Sequence, residues 1–385
     1  MSNTMDNWQT DVNKKLDRLL NDVEFIKNRV TTYLGRNEAL TYLPDETPLF
    51  VNTDDMGCPL NFMNGGKYEE DYFTVMLSYR KAGHTFLDVG ANLGVYSIRL
   101  GQYMRTGRMH AFEPIPRIRE LFARSSFLNG YDHLLTIHPT AVSDHEGEAV
   151  LNVPNAHAGG ASLETSGGDA AGLRVPLKTI DGMMPGDFRC NLIKLDVEGH
   201  EFHALKGMKG TLARSNECML MFEKLASHSG IEADVQGLLQ EIGWKIYGIE
   251  GTRIRSLSLD EFRDMGGYFV AGLPAYIEKD GLNRNFFDIC PGDLNVLKGE
   301  RTPDGLRISC EQGNGEVLFH GPYWYLPRGY YRVTFDGATS GAFQVDVAER
   351  FGYKVGEFEI REGQQSVEFP IHRDLIKFEL VLRAK

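Results

Sequence analysis

Residues 85–100 read TFLDVGANLGVYSIRL. Thr85, Phe86, Leu87 and Val89 are β-branched, aromatic or aliphatic, as in a parallel strand buried on both faces. Asp88 interrupts the run. Gly90, Asn92 and Gly94 follow, and Val95, Tyr96, Ile98 and Leu100 begin a helical spacing. The pattern predicts strand, tight glycine turn, helix. Open α/β sheets bind ligands at such carboxyl ends of strands, and glycine admits backbone where a Cβ would obstruct it. The run Asp-Val-Gly-Ala-Asn-Leu-Gly is neither the three-glycine dinucleotide fingerprint nor the phosphate loop. Taken alone, it also suits an ordinary strand-to-helix turn.

Downstream, Met109–Phe112 reads as a second parallel strand with Glu113 at its end. An acid about 20 residues past the glycine turn is placed to accept hydrogen bonds from ribose hydroxyls. It would equally favour the start of the next helix. Pro116–Asn129 carries the stripe Ile118, Leu121, Phe122 and Leu128, and Leu134–His138 is a third strand. Ser143-Asp144 after Ala141-Val142 forms either part of the site or an Asx turn. Residues 155–172 are poor in apolar side chains and read as a lid, a substrate loop or a connector. Asn191–Asp196 is a buried strand, and Val197-Glu198-Gly199-His200-Glu201 follows it. Desolvating that many polar groups for packing alone is costly, so they read as site residues. A helix over Glu201–Leu212, a strand over Met219–Glu223 and a helix over Val235–Gly243 come next. Trp244–Ile249 and Tyr268–Leu273 read as a closing antiparallel pair.

The flanks have different textures. Val12, Leu16, Leu19, Val23, Ile26, Val30 and Tyr33 alternate spacings of four and three, the seam of a coiled coil. Residues 1–40 are therefore expected to be a coiled-coil helix that makes a homo-oligomer through residues 8–33, or an amphipathic helix docked on its own chain. Pro44 and Pro48 would end it. After Pro274 short alternating runs recur, so residues 281–385 are expected to form an all-β sandwich, jelly-roll-like. Its aromatic stretch 321–331 is either a sugar-stacking face or core. The α/β domain would occupy 41–280. At net charge −12 with no basic cluster, nucleic acid is not an expected partner. Five scattered cysteines suggest reduced thiols. The polar N-terminus and the absence of a long apolar run suggest a cytoplasmic chain with no transmembrane segment.

These pieces resemble the FkbM-type family of class I S-adenosylmethionine-dependent methyltransferases. The resemblance spans about residues 49–275. It rests on Gly66-Lys67-Tyr68-Glu69, FLDVGANLGVYS at 86–97, Phe112-Glu113-Pro114, Ala141-Val142-Ser143-Asp144 and above all IKLDVEGHE at 193–201. It implies a Rossmann-like α/β domain with S-adenosylmethionine as cofactor and a hydroxyl acceptor, often on a saccharide. Asp88, Gly90, Asn92 and Gly94 would hold the methionine part, Glu113 the ribose, and Ser143 and Asp144 the adenine. An alkyl hydroxyl needs a base as it attacks. His200, Asp196 and Glu198 are the catalytic candidates, His200 because its ordinary pKa lies near neutrality. No metal ligand is assigned, although Asp196, Glu198 and Glu223 would cage a divalent cation if the fold gathers them. The competing functions are a non-catalytic glycan-binding scaffold and transfer to a non-sugar hydroxyl such as a polyketide.

Overall fold

The computed structural model describes residues 15, 19, 30–63, 68–104, 106–154, 160–163, 172–224, 232–279, 281–282 and the C-terminal strands named below. Lys15 and Leu19 are helical and exposed, and the other seam positions before Val30 lie outside the described residues. The expected helix does not reach Tyr33. Strand β1 (Thr32–Gly35) pairs with β2 (Glu38–Tyr42), which pairs with β3 (Pro48–Asn52), all antiparallel. Arg36 (φ 54°) and Asn37 (φ 58°) are both left-handed, so a two-residue hairpin turn reverses the chain there. β2 runs across residue 40, where the first expected boundary lay.

Two helices, α1 (Cys58–Met63) and α2 (Glu70–Ser78), lead into the α/β domain. There β4 (Thr85–Val89), α3 (Val95–Gly101), β5 (Arg108–Phe112), α4 (Pro116–Leu128) and β6 (Leu135–His138) follow in turn. A small sheet interrupts: β7 (Ala141–Val142), β8 (Gly147–Asn152), β9 (Ser162–Leu163) and β10 (Leu173–Lys178). The chain returns through α5 (Ile180–Met183), β11 (Leu192–Leu195), α6 (Glu201–Gly207), α7 (Lys209–Arg214) and β12 (Met219–Lys224). It closes with α8 (Glu232–Glu241), β13 (Lys245–Glu250), β14 (Arg253–Ser256), α9 (Leu259–Asp264), β15 (Gly267–Gly272) and α10 (Pro274–Ile277).

The single helix expected over 201–212 is two. Asp181 accepts from Gly210 N and Thr211 N, both at 2.7 Å, and so starts α7. The main sheet has the order β14-β13-β15-β12-β11-β4-β5-β6. β6, β5, β4, β11 and β12 run parallel, while β15 pairs antiparallel with β12, β13 with β15, and β14 with β13. Alternate residues feed two cores, Phe86 with Ile98 and Phe122 on one face, Leu87 with Ile193 and Phe222 on the other. The chain winds outward from β4 to β6 and then returns to β11 on the other side of β4. The crevice between the ends of β4 and β11 is thus a topological switch point, the usual binding place of such sheets.

The C-terminal region is β-rich, as expected. β16 (Asn295–Val296), β17 (Glu300–Thr302), β18 (Gly305–Arg307), β19 (Val317–Leu326) and β20 (Gly329–Thr334) come first. β21 (Phe343–Glu349), β22 (Tyr353–Ile360), β23 (Ser366–Ile371) and β24 (Leu375–Ala384) complete it. They form a five-stranded sheet, β16-β19-β24-β21-β22, and the two-stranded pairs β17-β18 and β20-β23. A jelly-roll arrangement is finer than these pairings carry. Trp324, from the aromatic-dense stretch, is fully buried against the α/β domain. Its ring lies 5.3 Å from that of Tyr103 and 4.8 Å from the Arg80 guanidinium. This aromatic is core rather than a sugar face.

Candidate functional site

Asp88 is the penultimate residue of β4 and is almost wholly buried. Its Oδ2 accepts from Ser97 Oγ at 2.6 Å and Ser97 N at 3.2 Å, which ties it to the start of α3. Burial pushes its pKa up, against the pull of Lys194 and Ser97. Gly90 follows with φ 79°. A Cβ there would stand 1.8 Å from the main-chain oxygen of Asp196, so only glycine lets the end of β11 pass. At Gly94 (φ 75°) a Cβ would instead meet the Phe122 ring at 2.0 Å. The second glycine therefore serves packing of α4.

Glu113 braces this turn. Its Oε2 accepts from Asn92 N at 2.9 Å and its Oε1 from Ile115 N at 2.7 Å. Burial raises its pKa to about 7, although both amides oppose the shift. Glu113, Asp88, Gly90 and Asn92 line one cavity of about 210 Å³ together with Asp196 and Glu198. Ala141, Val142, Leu151, Ala161 and Leu163 supply an apolar side of it. Ala161 and Leu163 belong to the described part of segment 155–172, where β9 pairs with β8.

Opposite the turn stands a charged wall. Lys194 is buried, and its Nζ lies 2.8 Å from Asp196 Oδ2. Burial opposes its charge, but Asp196, Glu69 and Asp88 outweigh that and raise its pKa. The rings of Tyr96 and Tyr268 face it at 4.8 and 5.3 Å. Tyr268 Oη donates to Asp196 Oδ2 at 2.7 Å and also lies 3.2 Å from Glu69 Oε1. Tyr96 Oη donates to Glu69 Oε2 at 2.8 Å. Burial works against the Asp196 charge, but Lys194 and these hydrogen bonds hold its pKa below the ordinary value. Burial and the Asp196 carboxylate push Glu223 up to about 8. Burial, Asp196 and Glu201 push Glu198 up to about 7. Oxygens of Asp196, Glu198 and Glu223 all lie within 4.8 Å of one another. Such a donor set suits a hard divalent cation, and Lys194 is already paired with Asp196.

His200, Ser143 and Asp144 are not among the residues that line this cavity. His200 Nε2 is 3.0 Å from Ser143 Oγ, and its ring stacks on His203. Burial and His203 lower its pKa to about 4, away from the range that recommended it as a base. Ser143 is fully buried. Asp144 is engaged by His145 at 2.8 Å, Lys206 at 2.6 Å and His203 at 3.2 Å. Sequence reading missed Lys194, Tyr96, Glu69 and Tyr268. Lys194 did leave a signal, a charge inside the apolar strand NLIKLD.

Residues 88–250 match the model of the methyltransferase FkbM domain. No curated protein matches the chain. Among solved structures, precorrin-6y C5,15-methyltransferase from Geobacter metallireducens is 12% identical, with a TM-score of 0.31, over 53% of this chain and 87% of that one. An S-adenosylmethionine-dependent O-methyltransferase from Thermotoga maritima is 12% identical, with a TM-score of 0.32, over 63% and 95%. An O-methyltransferase of tomaymycin synthesis from Streptomyces achromogenes, solved with S-adenosylmethionine, is 14% identical, with a TM-score of 0.31, over 53% and 78%. Over residues 88–250 the chain carries an FkbM methyltransferase domain.

Proposed function

We propose that the chain methylates a saccharide hydroxyl with S-adenosylmethionine bound in the cavity between β4 and β11. The observation that carries this reading is the joint lining of one cavity by the Gly90 turn, Glu113 and the Asp196–Glu198 wall. When bound, S-adenosylmethionine supplies an electrophilic methyl group. Glu113 keeps acceptor capacity for ribose hydroxyls beside the two amides it braces. Adenine lies against Val142, Leu151 and Leu163, since Ser143 and Asp144 are spent elsewhere. Glu198 replaces His200 as the base, because it faces the cavity with a carboxyl poised near neutrality. It takes the proton of the attacking hydroxyl, while Asp196 orients that hydroxyl. The saccharide class follows from the family resemblance and from a wall of hydrogen-bond acceptors.

The test is a panel of glycans incubated with radiolabelled methyl donor. Transfer to a sugar hydroxyl, lost on Glu198→Gln and kept on His200→Ala, supports the reading. Label entering only non-sugar hydroxyls removes the saccharide, and normal rates for Glu198→Gln remove the base. A second reading has Asp196, Glu198 and Glu223 holding a divalent cation, as their spacing permits. Transfer abolished by chelation and restored by magnesium would establish it. Transfer indifferent to chelation would end it.

A further inference from the structure

The charged wall has a role that does not depend on the acceptor. We propose that Asp196 and Glu198 make the cavity read the charge of the methyl donor, favouring a sulfonium cation over the neutral thioether left after transfer. The proposal rests on the reading of the cavity as the S-adenosylmethionine site.

Three observations carry it. First, wall and turn cannot separate. Asp196 N donates to Val89 O at 3.0 Å, and the Asp196 carbonyl lies against Gly90. Gly90 and Asp196 also line the same cavity, so a ligand on the Gly90 turn shares it with Asp196. Second, that side chain is fixed. Its Oδ2 takes Lys194 and Tyr268, and Tyr268 also meets Glu69, which Tyr96 holds from the motif helix. A phenol buried only for packing has no need of its hydroxyl, yet Tyr268 at 8% exposure spends it on two carboxylates. Third, acids outnumber bases along the cavity. Among the described residues Asp88, Glu113, Asp196 and Glu198 line it, and Lys194 is the one Lys or Arg that does, already paired with Asp196. Burial strengthens the field of such a wall, because little water lies between it and the ligand. The same field gives the neutral product nothing in return, so the wall favours exchange of spent for fresh donor.

The experiment is titration calorimetry of the purified chain with S-adenosylmethionine, S-adenosylhomocysteine and sinefungin, an analogue that carries an amine cation in place of the sulfonium. Glu198→Gln and Asp196→Asn are measured beside wild type, with thermal melts to show that each is folded. Either substitution should weaken S-adenosylmethionine and sinefungin about tenfold, one screened charge pair, and leave S-adenosylhomocysteine within about twofold. Tyr268→Phe, which keeps the ring, should shift the same ratio less. Equal changes for all three ligands, or sinefungin following the thioether, would overturn the proposal. Failure of wild type to bind any of the three would instead remove the cofactor site itself, and this inference with it.

Discussion

The two glycines of the opening motif do different jobs, and paired substitutions separate them. In Gly94→Ala the new Cβ meets the Phe122 ring at 2.0 Å from a backbone at φ 75°. The left-handed conformation costs about 1–2 kcal/mol, and overpacking a filled core costs about 1–3 kcal/mol. The variant should thus lose roughly 2–5 kcal/mol, about 2–4 °C of melting temperature for each. Phe122→Ala alone should cost about 3–5 kcal/mol. In the double variant the ring that was struck is gone, so the overpacking cost disappears. The pair should be less destabilising than the sum by about 1–3 kcal/mol. Gly90→Ala has no such escape, because it strikes the main-chain oxygen of Asp196 at 1.8 Å. Adding Val197→Ala should recover nothing. Urea unfolding followed by circular dichroism measures all five. Strict additivity of Gly94→Ala and Phe122→Ala, or rescue of Gly90→Ala by Val197→Ala, would refute the assignment of packing to one glycine and strand clearance to the other.

Other consequences follow from single groups. Glu113 has a folded pKa of about 7, above its ordinary 4.5. Its contribution to stability is thus full below about 4.5 and lost as pH rises through 7, about 3 kcal/mol by pH 8. Glu113→Gln should flatten the fall of unfolding free energy between pH 5 and 8, and an unchanged slope would contradict the shift. Trp324→Ala should cost about 3–5 kcal/mol and lower the melting of the α/β domain together with the β region. A melt altered in the β region alone would deny the contact. Ser258→Ala removes the capping box of α9 and should cost about 1 kcal/mol. It should leave ligand affinity alone, and a loss of affinity would mean that α9 communicates with the cavity.

The main sheet was legible because its strands are largely apolar runs with an acid at or beside their carboxyl ends, as in TFLDV, MHAFE and MLMFE. That pattern located β4, β5, β11 and β12, and with them Asp88, Glu113 and Asp196. The crowd of polar groups past β11 added Glu198. What the sequence could not carry was whatever depended on tertiary partners. His200 looked suited to proton transfer from its ordinary pKa, but burial and His203 change it. Gly94 shares a motif with Gly90, and only the position of Phe122 tells their roles apart. Tyr268 and Glu69 lie outside residues 88–250, and nothing local marks a phenol that holds an aspartate from another strand. Tyr33 kept the heptad spacing, yet the turn at Arg36-Asn37 made its segment a strand. Local periodicity cannot weigh a hairpin partner that follows.

The central claim is that the crevice between β4 and β11 is the methyl-donor site, with Glu113 as its ribose partner. Calorimetric titration of the purified chain with S-adenosylhomocysteine, for wild type and Glu113→Ala, tests it most directly. The account predicts one site per chain in wild type and affinity at least tenfold weaker in Glu113→Ala, a loss of about 1.4 kcal/mol or more. No binding by wild type, or equal binding by the two proteins, would contradict it.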